Sequence, residues 1–235
     1  MSKKGRWFKI GFAALLLLIL YAGYEFITYP DVSVLKKENP RETAWMVMRD
    51  REAIAADRRP RRVQAWVPIG AISPNLKNAV LIAEDAAFFQ HEGLDYNEIK
   101  EAIKINAEKL EFARGASTIT QQLAKNLYLY PSKNPVRKLK ELLITFSLER
   151  NLPKRRIFEI YLNVIEWGDG IYGAEAAART YFGKPCGELT EEEAAALAAV
   201  IINPRRYSPV HPNKRIRNRI ALILARMQKY KYYRN

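Results

Sequence analysis

At 235 residues, with 39 Lys and Arg against 25 Asp and Glu, the chain is long enough to bury a core without covalent staples and carries a formal charge of +14. That charge favours anionic partners (phosphorylated substrates, acidic membrane surfaces, nucleic acid) without choosing among them. A single cysteine, Cys186, excludes an intramolecular disulfide and any multi-cysteine metal site, and two histidines far apart in sequence, His91 and His211, argue against a zinc centre.

The N-terminus carries the first element. Residues 10–24 hold no charge and include six consecutive aliphatic residues from Leu15 to Leu20; extending to Tyr29 adds only Glu25. Twenty such residues match the length of a helix crossing a bilayer. Lys3, Lys4, Arg6 and Lys9 precede the run and no basic cluster follows at once, so residues 1–9 are expected in the cytoplasm and everything after residue 29 outside it. A cleaved signal peptide is the alternative, but Tyr21-Ala22-Gly23 is a poor cleavage site.

Residues 30–64 read as a linker. Pro30, Pro40 and Pro60 interrupt them, Arg58-Arg59-Pro60-Arg61-Arg62 is either a solvated face or a contact for anionic headgroups, and one short helix is expected at about 43–56. From residue 65 to 235 a single domain is expected, and helix signals are dense. Ser73-Pro74 reads as N-cap and first helical residue of a helix over 75–89. A helix starts near Ser117, and Asn134-Pro135 opens another over 136–150. Thr190-Glu191-Glu192-Glu193 is a capping box before an alanine-rich helix to about Ile202. A last helix runs from beyond Pro212 to Met227, with Ile216, Ile220, Ile223 and Leu224 at helical spacing. Strand patterns are scarce, so the fold class is mainly α.

Three segments carry polar groups where a core would not. In the first helix Glu84 and Asp85 follow the apolar run from Ala79 to Ala83, and Glu84, Phe88 and His91 share a face if the helix persists. A carboxylate among apolar groups has its charged form disfavoured, which moves its pKa toward that of a general acid or base; a helix-end acid facing water is the plainer reading. In the second segment, Ser117 to Gln122 has only Ile119 as an apolar residue. Gln121 and Lys125 share one helical face, and Gln122 and Asn126 another, suiting a hydroxyl-rich or phosphorylated ligand or simply an exposed surface. In the third, Arg137 and Glu141 are four residues apart and Lys138 and Glu141 three, which is first of all a salt-bridged helix face. The segment from Lys154 to Asn163 and the glycines Gly168, Gly170 and Gly173 read as scaffold.

In this order the segments resemble the peptidoglycan glycosyltransferase domain, the transglycosylase module of penicillin-binding proteins. The matching pieces are Glu84-Asp85-x-x-Phe88-x-x-His91-x-Gly93; Gly115-x-Ser117-Thr118-Ile119-Thr120-Gln121-Gln122-Leu123-x-Lys125-Asn126; Arg137-Lys138-x-x-Glu141; Lys154-x-x-Ile157-x-x-x-Tyr161-Leu162-Asn163; and Arg219-x-x-x-Ile223-Leu224-x-Arg226-Met227. They span roughly residues 65–230, and five in order leave little room for chance. Ala116 and Glu92 are small departures that remove no group assigned to chemistry. Ser33-Val34-Leu35-Lys36 and Ser132-Lys133-Asn134 echo fragments of a transpeptidase signature, but no K-T-G exists in the chain. The resemblance is therefore to the monofunctional biosynthetic transglycosylases of Gram-negative type.

The resemblance implies a lysozyme-like, mostly helical fold with a small membrane-proximal lobe. It implies Glu84 as general base and Glu141 as a second essential carboxylate, with Lys125, Arg137 and Lys138 near a diphosphate. Ser117, Gln121, Gln122 and Asn126 would hydrogen-bond sugar or phosphate, and Asp85, Phe88 and His91 would support the base and its turn. The implied partners are lipid II, the growing lipid-linked glycan chain, the bilayer and proteins of cell-wall synthesis or division, not nucleic acid. A divalent cation, Mg or Mn, at the diphosphate is left open, with no other cofactor. The implied location is the bacterial inner membrane, single-pass, with a periplasmic catalytic domain. Two other classes compete: a lytic enzyme cutting the same bond with one glutamate as acid, and a non-catalytic basic scaffold.

Overall fold

The computed structural model describes residues 27–109, 115–131 and 134–229, with scattered positions before residue 27. The chain divides into two compact units, Met1–Asp31 and Val32–Asn235. In the first, the described positions up to Ile27 are helical, and Trp7, Phe12, Leu15, Leu16, Leu20 and Ile27 are exposed. No helix among the described residues is long and apolar enough to cross a membrane; half of the expected anchor over residues 10–29 lies outside those residues.

The second unit is mainly helical. Residues 30–64, expected as a linker, mostly fold onto it. Val32 and Leu35, in a short 3-10 turn at Val32–Lys36, and Met46 are buried in the main core. Arg156 fastens this segment by donating to the carbonyls of Leu35 (2.9 Å) and Glu38 (2.8 Å) and to Asn39 Oδ1. Helix α1, Ala44–Ala55, starts where the Thr43 hydroxyl accepts from the Met46 N–H.

Helix α2, Pro74–Glu84, opens as the sequence indicates: Ser73 accepts from the Leu76 N–H and Pro74 fills the first helical position, where its missing N–H costs nothing. Its other end differs. The sequence alone carries the helix to Phe89, but it stops at Glu84, and Phe88–Gln90 form a separate 3-10 turn. Asp85 leaves the helix (φ −165°, ψ 80°) because its carboxylate is claimed from elsewhere: the Ile119 N–H donates to Oδ2 at 3.0 Å, and His91 Nε2 lies 3.0 Å from Oδ1.

Helix α3 spans Tyr96–Lys109. Helix α4, Ile119–Tyr128, begins in a capping box: Thr118 accepts from the Gln121 N–H and the Gln121 side chain accepts from the Thr118 N–H. Helix α5, Pro135–Asn151, is capped by Asn134, and α6 covers Lys154–Val164. Beyond α6, β2 (Glu166–Gly168) and β3 (Ile171–Tyr172) form an antiparallel pair, and β1 (Val63–Gln64) lies parallel to β3, giving the order β1-β3-β2. The chain turns between β2 and β3 at Gly170 (φ +68°), where a Cβ would stand 2.3 Å from the Arg61 carbonyl oxygen, so only glycine lets the chains pass.

Helix α7, Ala174–Phe182, ends at Gly183 in the left-handed conformation. Helix α8, Glu191–Val200, starts at the expected Thr190/Glu193 capping box and is buried from Ala194 to Val200, packed against α2 and against α9, Lys214–Lys229. Trp167, Tyr161, Tyr172, Phe88 and Phe158 are the largest wholly buried side chains. Burial of a large apolar side chain of this kind is worth about 1.5–3 kcal/mol, so these rings hold α6 and the small sheet behind the end of α2.

Candidate active site

Glu84 is the last residue of α2, and its side chain is 12% exposed. Oε2 accepts from Gln122 Nε2 of α4 at 2.9 Å; Oε1 accepts from Arg219 Nη2 of α9 at 2.9 Å. The same Arg219 nitrogen donates to the Ala83 carbonyl at 3.2 Å, and the Gln122 side-chain oxygen Oε1 accepts from the Tyr161 hydroxyl of α6 at 2.9 Å. Four helices thus place one carboxylate at the centre of a hydrogen-bonded chain. Burial pushes the Glu84 carboxyl above the ordinary glutamate value, while the Gln122 hydrogen bond and the Arg219 charge pull it back.

Beside it, Asp85, His91 and Thr118 tie the turn after α2 to the start of α4. Asp85 holds His91 and the Ile119 N–H, and the Thr118 hydroxyl donates to the Gly93 carbonyl at 2.7 Å. Thr120 donates to Glu149 Oε1 at 2.5 Å, and Lys154 pairs with the same oxygen at 2.7 Å. Phe88 is wholly buried against Phe158, with the Lys154 ammonium 4.4 Å from its ring centroid. Since α2 ends at Glu84, the expected shared face of Glu84, Phe88 and His91 on one continuous helix does not exist. Phe88 belongs to the core and His91 to Asp85.

A pocket of about 130 Å3 is lined by Ser117, Gln121, Gln122, Lys125, Arg137, Lys138 and Glu141. Arg137 Nη1 donates to Glu141 Oε2 at 2.7 Å, and Lys138 donates to Oε1. Glu141 is 4% exposed, so its carboxylate is a buried anchor that aims two cations, while the Lys138 side chain stays half-exposed. The salt-bridged helix face and the ligand pocket are the same surface. Burial lowers the proton affinity of Lys125.

Two residues expected at the ligand are partly committed elsewhere. Gln121 is buried and spends its carbonyl oxygen on the capping box, so only its amide nitrogen is left for the pocket. Asn126 donates to the Gln122 carbonyl at 2.8 Å and faces a different cavity of about 300 Å3, which also includes Gln122, Lys125, Trp45 and Arg49. Both oxygens of Glu141 are taken by cations, and no second acid lines the small pocket. This donor set does not fit a divalent ion held by the protein. Among the described residues no group of three His, Cys, Asp or Glu could hold one.

Residues 51–228 match the transglycosylase family. The chain belongs to that family. It is 45% identical over 224 residues to the biosynthetic peptidoglycan transglycosylase of Laribacter hongkongensis, covering 94% of this chain and 96% of the relative. The corresponding protein of Dechloromonas aromatica is 44% identical over 227 residues, 97% of each chain, and that of Rhodospirillum centenum is 52% identical over 162 residues, 69% of this chain and 70% of the relative. The transglycosylase match includes both carboxylates, the cations and Arg219; Trp45 and Arg49 precede it.

Sequence reasoning left Arg219 without a role, although it opens the last matching motif, and placed Tyr161 in the scaffold. Each meets the site through a partner far away in sequence, 135 residues for Arg219 to Glu84 and 39 for Tyr161 to Gln122. No local pattern encodes such contacts.

Proposed function

We propose that this transglycosylase extends peptidoglycan strands by moving the growing glycan from undecaprenyl diphosphate to the 4-hydroxyl of the GlcNAc of lipid II, with inversion at the transferred sugar. The observation that carries the reading is the pairing of a buried, proton-avid carboxylate, Glu84, with a pocket of cations reached across Gln122 and Lys125. Glu84 takes the proton of the acceptor hydroxyl as its oxygen attacks C1 of the donor sugar. Gln122 and Arg219 each hold one carboxylate oxygen, which fixes the direction in which the free lone pairs point.

The diphosphate leaves as an anion, so it needs positive charge and not a proton. Lys125, Arg137 and Lys138 supply that charge, and Glu141 keeps the last two in place before the substrate arrives. A base on one side of C1 and a diphosphate pocket on the other is the arrangement for a single inverting displacement. A lytic enzyme would have to protonate a sugar leaving group, for which the cation pocket has no use.

The substrate's lipid tail keeps the reaction at a bilayer. On α5, the helix that carries Arg137 and Lys138, Val136, Leu139, Leu143 and Phe146 are all exposed at a spacing of three, four and three residues, an apolar stripe suited to an acyl layer. The apolar run over residues 10–29, whose one charge is Glu25, would tether the enzyme to the same surface, with the catalytic unit on the outer side. The test is polymerisation of labelled lipid II by the detergent-solubilised full chain beside Glu84→Gln. Long, lysozyme-sensitive strands from the wild type alone support the reading. Shortening of preformed strands, or no strands from folded wild type, overturns it.

A further inference from the structure

A cavity of about 840 Å3 opens between the turn that follows α2 and the end of α5, and it shares no residue with the cation pocket. Its volume falls inside the roughly 300–1,000 Å3 range of ligand sites. Three aromatic residues line it, Phe89, Tyr96 and Phe146, and all three are exposed.

Phe146 also ends the apolar stripe of α5. Leu139, Leu143, Phe146 and Arg150 follow one another at spacings of four, three and four, so Arg150 is next in that row and lines the cavity. Tyr96 does the same for α3, where the exposed Ile103 stands two turns further on. Two apolar rows thus run to one cavity, and charged groups begin where the rows end. A phospholipid is layered in the same way, with acyl chains first and then a charged headgroup.

The charges narrow the choice of headgroup. Glu149 and Lys154 line the cavity but spend themselves on each other, at 2.7 Å, and Thr120 donates to the same Glu149 oxygen. Glu92 and Arg150 also line it; both are exposed, and neither has an ion pair or hydrogen bond among the described residues. His91 adds an acceptor. Its side chain is 9% exposed, and Nε2 lies 3.0 Å from Asp85 Oδ1. An ionised carboxylate only accepts, so Nε2 carries the hydrogen and Nδ1 of the neutral ring keeps a lone pair. That Nδ1 is buried without a partner.

One uncommitted cation, one uncommitted carboxylate and one unused acceptor nitrogen match a ligand that carries one anion and one N–H cation. A headgroup with a phosphate alone would leave Glu92 facing a like charge. A quaternary ammonium would bring no N–H to Glu92 or His91.

We propose that this cavity binds the headgroup of a phospholipid with a primary amine on its phosphate, a phosphatidylethanolamine. Arg150 takes the phosphate, Glu92 and His91 Nδ1 take the ammonium, and Phe89, Tyr96 and Phe146 lie against the glycerol and the first acyl carbons. The lipid is not consumed; it docks the catalytic unit on the bilayer in one orientation. Because His91 Nε2 holds Asp85, an occupied cavity also braces the turn that follows Glu84. The site does not depend on which reaction Glu84 performs.

The test reads binding without turnover. The full chain in non-ionic detergent is offered a phosphatidylethanolamine and the matching phosphatidylcholine and phosphatidylglycerol at equal concentration. Native mass spectrometry should show one retained ethanolamine lipid per chain, favoured about tenfold or more over either of the others. Arg150→Gln and Glu92→Gln change exposed side chains and should each erase most of that preference. Equal retention of the three headgroups, or a preference unchanged in both variants, would overturn the site. Phosphoethanolamine without acyl chains, bound as tightly as the lipid, would overturn it too, since the rings would then have no role.

Ring nitrogen resonances give a second reading, because His91 and His211 are the two histidines of the chain. Dihexanoyl phosphatidylethanolamine should shift Nδ1 of His91 saturably and leave His211 unmoved, and the choline counterpart should move neither. No shift at His91, or equal shifts at both rings, would overturn the site. A chain that binds the lipid but builds no strands would retain the site and reject the polymerase reading; the reverse result would reject the site alone.

Discussion

Arg219 reaches across 135 residues of sequence to donate to Glu84 Oε1 at 2.9 Å while also holding the Ala83 carbonyl. The last turn of α2 and the carboxylate it delivers are therefore fixed by one guanidinium from the final helix. The charge of that guanidinium opposes the effect of burial on Glu84. Arg219→Gln should leave burial opposed mainly by the Gln122 hydrogen bond, so the acidic limb of the pH–rate profile should move to higher pH, with activity reduced at neutral pH and partly recovered at alkaline pH. Arg219→Lys should shift the limb less. A profile identical to the wild type would show that the contact does not set the base.

Glu84→Gln keeps the volume and one hydrogen-bonding oxygen. Loss of a general base costs about 10²–10⁴ in rate, and retention of a tenth of the polymerisation would remove Glu84 from that role. Stability should move the other way. A carboxyl whose folded pKa lies above its unfolded value stabilises the fold below the unfolded pKa and loses that contribution as pH rises through the folded one. At neutral pH the wild type therefore bears the cost of a buried charge, and Glu84→Gln should melt at or above the wild-type temperature. That advantage should vanish below the ordinary glutamate value of about 4.3. Paired melts across pH measure it, and a variant that melts lower at pH 7 contradicts the sign.

Lys125 has its proton affinity lowered by burial, so it loses its charge at a lower pH than a free lysine. Donor binding should weaken as pH rises through that value. Lys125→Arg, which stays charged, should carry donor affinity to higher pH even if its peak rate is lower. The check is donor KM against pH for the two proteins; coincident alkaline limbs would exclude Lys125 as the group responsible.

Gly93 sits at φ +89° with Thr145 Cγ2 only 2.8 Å from where a Cβ would be, and its carbonyl accepts from Thr118. Gly93→Ala combines backbone strain with a clash and should cost about 1–3 kcal/mol of stability, read as a lower denaturant midpoint. The Thr118 contact starts α4, so activity should fall more than the folded fraction does. A variant equal to the wild type in both would show that the turn is free to relax.

Helix beginnings were legible because caps are local: Ser73-Pro74, Asn134-Pro135 and the box from Thr190 to Glu193 all open helices where their side chains say they should. The end of α2 was not legible, since the N–H that draws Asp85 out of the helix belongs to Ile119, 34 residues on. Gln121 has two surroundings: Thr118-Ile119-Thr120-Gln121 is a capping box that takes its carbonyl oxygen, and the same residue lines the cation pocket. The proline-broken stretch around Val32, Leu35 and Met46 has the composition of a linker, yet these three side chains are core. The pairing of Arg137 and Lys138 with Glu141 was legible because its spacing is local. Arg219 and Tyr161 meet Glu84 and Gln122 only through tertiary packing.

Helix α8 lies against both α2 and α9, and its inner surface is almost entirely alanine, from Ala194 to Ala199 with Leu197 between. Helices α2 and α9 also touch each other directly, where Arg219 holds Glu84 and the Ala83 carbonyl. Methyl-sized side chains along α8 let it lie close to both of the helices that meet there. A bulky side chain in this alanine run would have to push one of them aside, so a substitution far from the carboxylate in sequence would be felt in the contact that holds it.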